Sequence, residues 1–225
     1  MRNRWNDHQA RGHTPLEALV YRSCLIGDEE RLGLWGGGNT SIKCRLPDLW
    51  GRPQEALWVK GSGSNLKGCE ARHFAPLYLA PLRRLAGRTA MSDEAMVMFL
   101  ERCLIHPKAP RPSIETLLHA FIPETAIDHT HADAILALAN TTHGQALIRR
   151  VLGKRILWIP YLQPGFTLSR LVFDAYQRQP DADGAVLEKH GFVTWGPDGK
   201  TSYLRTIRYI SHAEQFLARR RRRRA

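Results

Sequence analysis

The sequence predicts an α/β domain. Runs of alternating apolar and polar residues, which suit strands, interleave with runs of helical periodicity from Thr14 to Leu217. No internal repeat or linker interrupts them. The 225 residues, 43% hydrophobic and 24% charged, suffice for one substantial domain with a full apolar core. We therefore divide the chain into a polar, flexible N-terminus (1–13), one domain (14–217) and a basic tail (218–225).

The first helix starts at Thr14, a good N-cap followed by Pro15 and Glu17, and Gly27-Asp28 ends it. A glycine loop, Gly36–Gly38 with Asn39, leads into a strand over Ser41–Leu46. A second strand, Leu57–Lys60, opens into Gly61-Ser62-Gly63-Ser64. Glycines let backbone N–H groups approach an anion, but a strand follows the first loop and no Gly-Lys-Ser/Thr is present, which excludes a P-loop. Pro76 and Pro81 break 74–86 into short strand or irregular pieces. Ser92 caps a helix to Leu104, and Ser113 can cap a helix containing Glu115. Ala126–His131 reads as a strand and Ala132–Ala139 as a helix. Residues 155–162 form a buried-type strand, followed by a turn and an amphipathic helix. Ala185–Glu188 is a strand ending at Lys189-His190-Gly191, a further extended run Phe192–Trp195 follows, and a last helix spans about Ser202–Leu217.

Composition excludes several classes. No apolar run approaches the ~20 residues of a membrane span. The polar start lacks the apolar stretch of a secretory signal, so a cytoplasmic protein is expected. The net charge of +12 owes half its value to the six consecutive arginines Arg219–Arg224, a solvated terminal run, so no specific nucleic-acid partner is expected. Cys24, Cys44, Cys69 and Cys103 form no CxxC pair, which points to reduced, structural thiols.

The chemistry centres on Pro112–His131. Alternate residues of a strand share a face, so His129-Thr130-His131 aims two imidazoles at one point, and neutral imidazole is the commonest ligand of divalent transition metals. Glu115 lies fourteen residues earlier, where local sequence reads it as a carboxylate at a helix N-terminus. Ala134 stands where a metallo-β-lactamase would carry its last histidine, and a helix begins where a cupin would need its glutamate.

GGGNTSIK, WVKGSGS, PSIETLLH, DHTHADAIL and EKHGFVTWG, taken in that order over about residues 14–217, resemble the class II aldolase/adducin family. Within it they are most similar to the aldolase half of bifunctional rhamnulose-1-phosphate aldolase/short-chain dehydrogenases. The resemblance implies a three-layer α/β/α domain around a mostly antiparallel sheet. It implies a divalent metal, usually Zn2+, on His129, His131 and His190, acting as a Lewis acid. It makes Glu115 the acid/base and Tyr161 a proton donor acting across a subunit interface. It places substrate phosphate on Gly38, Asn39, Gly61, Ser62, Gly63 and Ser113. Ile114 departs from the family's frequent Ser-Ser-Glu and removes one hydroxyl donor. His119, one helical turn after Glu115, is expected to be structural or to support the site. The implied reaction is retro-aldol cleavage of a ketose 1-phosphate to dihydroxyacetone phosphate and an aldehyde by a homotetramer. An epimerase or dehydratase on the same metal, a non-catalytic adducin-like module and a truncated form of a longer bifunctional protein are the alternatives.

Overall fold

A computed structural model describes residues 1–33 and 37–222. The helices are α1 Asp7–Ala10, α2 Pro15–Gly27, α3 Leu79–Arg84, α4 Asp93–Arg102, α5 Thr116–Phe121, α6 Asp133–Ala139, α7 Gly144–Leu152, α8 Phe166–Arg178 and α9 Gly199–Arg222. The strands are β1 Asn39–Pro47, β2 Pro53–Lys60, β3 Phe74–Tyr78, β4 Ala126–Thr130, β5 Ile156–Ile159, β6 Gly184–Leu187 and β7 Gly191–Gly196.

Among the described residues these strands form one seven-stranded sheet in the order β3-β2-β1-β4-β7-β6-β5. The sheet is mixed: β5 and β6 run parallel, joined by a crossover through α8, and the other neighbours are antiparallel. The expected mostly antiparallel sheet is thus met in part.

Strand alternation sends side chains to two cores. On β5 to β7, Ile156, Val186 and Phe192 pack with Ile26, Ile135, Ile148 and Ile207 of α2, α6, α7 and α9. Their neighbours Leu157, Leu187, Val193 and Trp195 face Leu118 of α5 and Leu168 and Val172 of α8. Leu57, Val59 and Leu77 continue that second face against α3, α4 and α5. Apolar burial on both faces, at about 25 cal/mol per Å², is the main force holding helices to sheet.

Local chemistry accounts for the ends. Thr14 and Glu17 form a full capping box on α2, and the Ser92 hydroxyl accepts from the Ala95 amide. Residues 79–84 are helical despite Pro81, because Pro81 falls in the first turn of α3, where an N–H has no intrahelical acceptor. The N-terminal residues, read from sequence as polar and flexible, include α1, and Met1 and Trp5 pack on the domain. The Met1 ammonium meets Glu214 at 2.5 Å, and the Trp5 ring lies 5.2 Å from Tyr21 and 5.7 Å from Tyr203. Arg219–Arg222 continue α9, with Arg220 over the Phe216 ring at 5.1 Å. Gly36, Arg223 and Arg224 lie outside the described residues.

Candidate metal and proton-transfer site

β4 is the spine of the site. Its two neighbours fix its register: Asn39 of β1 stands opposite His129, and Val193 of β7 opposite it on the other side. Side chains of β4 alternate, so His129 faces the α5 side while Asp128 faces α2 and α9. Asp128 lies 2.8 Å from the Arg22 guanidinium, both fully buried, and accepts from Ser202 at 2.7 Å. That pair clamps the sheet from behind without touching the histidines.

His131 follows β4 directly and is held by its amide, which donates to the Leu32 carbonyl at 2.9 Å. His190 closes the hairpin between β6 and β7, where Leu187 pairs with Gly191. The turn puts Lys189 in the left-handed region at φ 55°, unusual for a side chain of that size, and so swings His190 back toward β4. Gly191 completes the fit. A Cβ there would stand 2.7 Å from His129 Cε1 and 3.0 Å from His131 Cδ2. Only glycine lets the hairpin come so close to both rings.

The three histidines that the resemblance named come together. Their ligating nitrogens lie within 4.8 Å of one another, with His129 Nε2 and His131 Nε2 3.0 Å apart. Two ligands at about 2.0–2.1 Å from one ion in tetrahedral geometry stand roughly 3.3 Å apart, so the set fits a divalent metal. Burial lowers the basicity of all three rings, that of His129 furthest, with the neighbouring histidines adding to the effect there. They are therefore neutral near pH 7, the form that binds metal.

Glu115 sits at the N-cap position of α5, but its side chain does not cap. It turns inward, 6% exposed, and its Oε2 and Oε1 each stand 3.4 Å from a ring nitrogen, of His129 and His190 respectively. The reading of Glu115 as a simple helix cap is replaced by this inward one. Asn39 holds it: Nδ2 donates to Glu115 Oε2 at 2.7 Å. Oε1 accepts no hydrogen bond among the described residues.

A polar chain behind Asn39 sets its orientation. Because Nδ2 faces the carboxylate, Oδ1 must accept, and it does so from His119 Nε2. His119 Nδ1 is then the acceptor for the Ser41 hydroxyl at 2.7 Å. His119 is fully buried, and burial pushes its basicity well down, so it is neutral with the proton on Nε2. Sequence reasoning assigns Asn39 only to a phosphate loop and Ser41 only to the neutral donors at the end of that loop. The signal is present in the alternation of Asn39 and Ser41 on one face of β1, with His119 a turn beyond Glu115.

The expected phosphate residues are partly gathered. Ser113 is 8% exposed, and its hydroxyl accepts from the Glu115 amide and from Asn39 Nδ2, each at 3.3 Å. Gly38 is left-handed at φ 74°, and a Cβ there would meet the His129 carbonyl at 2.6 Å. The bridge from Gly61 to Pro112 brings the second loop beside Ser113. Two of its amides are engaged, however: Gly61 N–H donates to the His73 carbonyl and Ser62 N–H to the Arg111 carbonyl, both at 2.8 Å. Gly63 is left-handed at φ 77° at the exposed tip of the loop. Lys60, which sequence reasoning does not single out, is buried beneath the loop and donates to the Gly61 and Ser64 carbonyls. Tyr161 lies on the loop after β5. It is 51% exposed, and its amide donates to Glu188 at 3.1 Å.

Comparison with known proteins adds the family. The chain is 47% identical over 202 residues to the "Uncharacterized oxidoreductase YuxG" of Bacillus subtilis (strain 168), spanning 90% of this chain but 29% of that protein. It is 40% identical to the N-terminal class II aldolase domain of a conserved protein from Thermoplasma acidophilum, with TM-score 0.89, covering 96% of this chain and 99% of that one. The l-fuculose-1-phosphate aldolase of Thermus thermophilus shares the fold at TM-score 0.61 and 13% identity, covering 93% of this chain and 97% of that one. The family described as "Class II Aldolase and Adducin N-terminal domain" matches residues 18–217. The chain belongs to the class II aldolase and adducin family.

Proposed function

We propose that the protein is a metal-dependent aldehyde-lyase that cleaves a ketose 1-phosphate, of the rhamnulose 1-phosphate type, to dihydroxyacetone phosphate and an aldehyde. One observation carries this reading. A carboxylate with one oxygen fixed by Asn39 and the other accepting no hydrogen bond among the described residues stands against three converging neutral imidazoles. His129, His131 and His190 would hold the metal, which when bound supplies Lewis acidity toward substrate oxygen.

Glu115 Oε1 then moves the proton to and from the carbon that parts from the aldehyde. Asn39 keeps Oε2 in place, and His119 keeps the Asn39 amide turned the right way. Ser113, Gly38 and the Gly61–Ser64 loop hold the phosphate, with Lys60 bracing that loop from beneath. Ile114 leaves one hydroxyl fewer at this end, which favours a substrate held by fewer side-chain contacts. Tyr161 serves the site of a neighbouring subunit in a homotetramer. Its exposure, and that of Leu49 and Trp50 at the β1–β2 hairpin, suits self-association. We place the protein in the cytoplasm, acting on a soluble sugar phosphate. The partial match to a longer relative named an oxidoreductase supports descent from the bifunctional aldolase/dehydrogenases.

The test is a retro-aldol assay across ketose 1-phosphates with and without chelator, on the wild type and on Glu115→Gln. Cleavage that chelator abolishes is the expected result. The glutamine variant should keep its metal and lose cleavage. Epimerisation or dehydration with no aldehyde released would replace the lyase reading, and a metal-free protein inert toward every sugar phosphate would make it an adducin-like module.

A further inference from the structure

Outside the site, a pair of thiols joins α2 to the segment after β2. Cys24 lies on the third turn of α2 and is half-buried; Cys69 lies at the end of the Gly61–Cys69 segment and is 4% exposed. Their sulfurs are 3.6 Å apart, in van der Waals contact, and the Cys24 thiol also reaches the Cys69 carbonyl at 3.4 Å. Cys44 and Cys103 are likewise free, and each lies on a different element.

The backbone around the pair is already close. A Cβ on Gly27 would lie 2.2 Å from the Leu66 carbonyl carbon, so the end of α2 rests directly on the main chain of the segment. Leu66 packs into the same core as Ile26. Joining the sulfurs thus needs side-chain rotation within an existing contact, not movement of one element toward another.

We propose that Cys24 and Cys69 are a reversible thiol–disulfide site, oxidised by exchange with a low-molecular-weight disulfide, that ties the Gly61–Cys69 segment to α2. The Cys24 thiolate attacks one sulfur of the small disulfide, whose S–S bond breaks and whose other sulfur leaves and takes up a proton. Cys69, losing its proton, attacks the Cys24 sulfur of the mixed disulfide, and the second small thiol leaves. The two protein thiols are oxidised by two electrons, and one small disulfide is reduced to two thiols.

The order of attack follows from the surroundings. The hydrogen bond from Cys69 brings the Cys24 thiol down to about 7, while the same contact and burial push the Cys69 thiol up. Cys24 is both the more accessible sulfur and the better attacking one near neutral pH.

Full-length protein is incubated with glutathione disulfide, and its free thiols are titrated and its peptides mapped. The four thiols should fall to two, a crosslinked Cys24–Cys69 peptide two hydrogens lighter should appear, and dithiothreitol should reverse both changes. Cys69→Ser should stop at a glutathione adduct on Cys24, and Cys24→Ser should give no crosslink. Hydrogen exchange of residues 61–69 should slow in the oxidised protein. Four thiols still titratable, a crosslink through Cys44 or Cys103, or a persistent wild-type adduct would overturn the site. Crosslinking with unchanged exchange over 61–69 would overturn the tether.

Discussion

Replacing Arg22 with methionine removes one partner of the ion pair behind β4. Arg22 and Asp128 are both fully buried and 2.8 Å apart, and Arg22 also donates to the Ser41 carbonyl at 2.6 Å. Methionine nearly matches the volume, so the loss is electrostatic: Asp128 keeps the Ser202 hydroxyl but faces no positive charge. Removing one member of a buried pair costs about 3–5 kcal/mol. For a chain of this length each kcal/mol is worth about 2–4 °C, so Tm should fall by roughly 6–20 °C. Urea denaturation followed by tryptophan fluorescence measures the loss. Arg22→Met combined with Asp128→Asn should cost less than the sum of the two single variants, because the uncompensated charge is gone. Below the new Tm, metal stoichiometry should be unchanged, since Asp128 and His129 point to opposite faces. A loss under ~1 kcal/mol would refute the clamp, and lost metal binding in a folded variant would refute the separation of faces.

Replacing His190 with alanine should remove tight zinc binding, read by metal analysis after dialysis, while leaving the circular dichroism spectrum unchanged. Gly191→Ala should weaken zinc binding by about 10-fold or more, because its Cβ would press on His129 and His131; titration with a chromophoric zinc competitor checks this. His119→Phe should lower turnover more than zinc content, and His119→Gln, which can still donate to Asn39, should restore part of it. Metal-free protein should lose stability as pH falls. His119 and His129 are held well below the ordinary histidine value by burial, so the unfolded chain takes up more protons. Their contribution is complete above about pH 6.5 and shrinks below it, which urea midpoints between about pH 7.5 and 5 would show.

What can be read from the chain is what neighbouring residues decide. Thr14 with Glu17 and Ser92 announce their helices, and the parity of His129 and His131 follows from strand geometry alone. Residues 79–84 mislead because a proline breaks a helix interior but not a first turn, and only the start at Leu79 tells the two apart. The parallel pairing of β5 with β6 depends on where α8 crosses, a choice made by the two apolar cores together. Glu115 is hardest. Local rules favour a carboxylate at a helix N-terminus, and the partner that turns it inward, Asn39, lies 76 residues away. His190 has no local signal either, and only the resemblance points to it.

The opposition of Asn39 to His129 across the β1–β4 ladder has a consequence for assembly. A slip of one residue between those strands would turn Asn39, Ser41 and their whole face toward α2, and no carboxylate clamp could form. Histidines on β4 and at the β6–β7 turn add a second ladder that must be in register before the nitrogens converge. Pro112–His131 carries the carboxylate and two of the histidines, but Asn39 and His190 come from distant strands, so that fragment alone cannot complete the site. Metal capture becomes a property of the finished topology. It should arrive late and all at once during refolding, and a bound ion then weights the equilibrium toward the one strand pairing that can hold it.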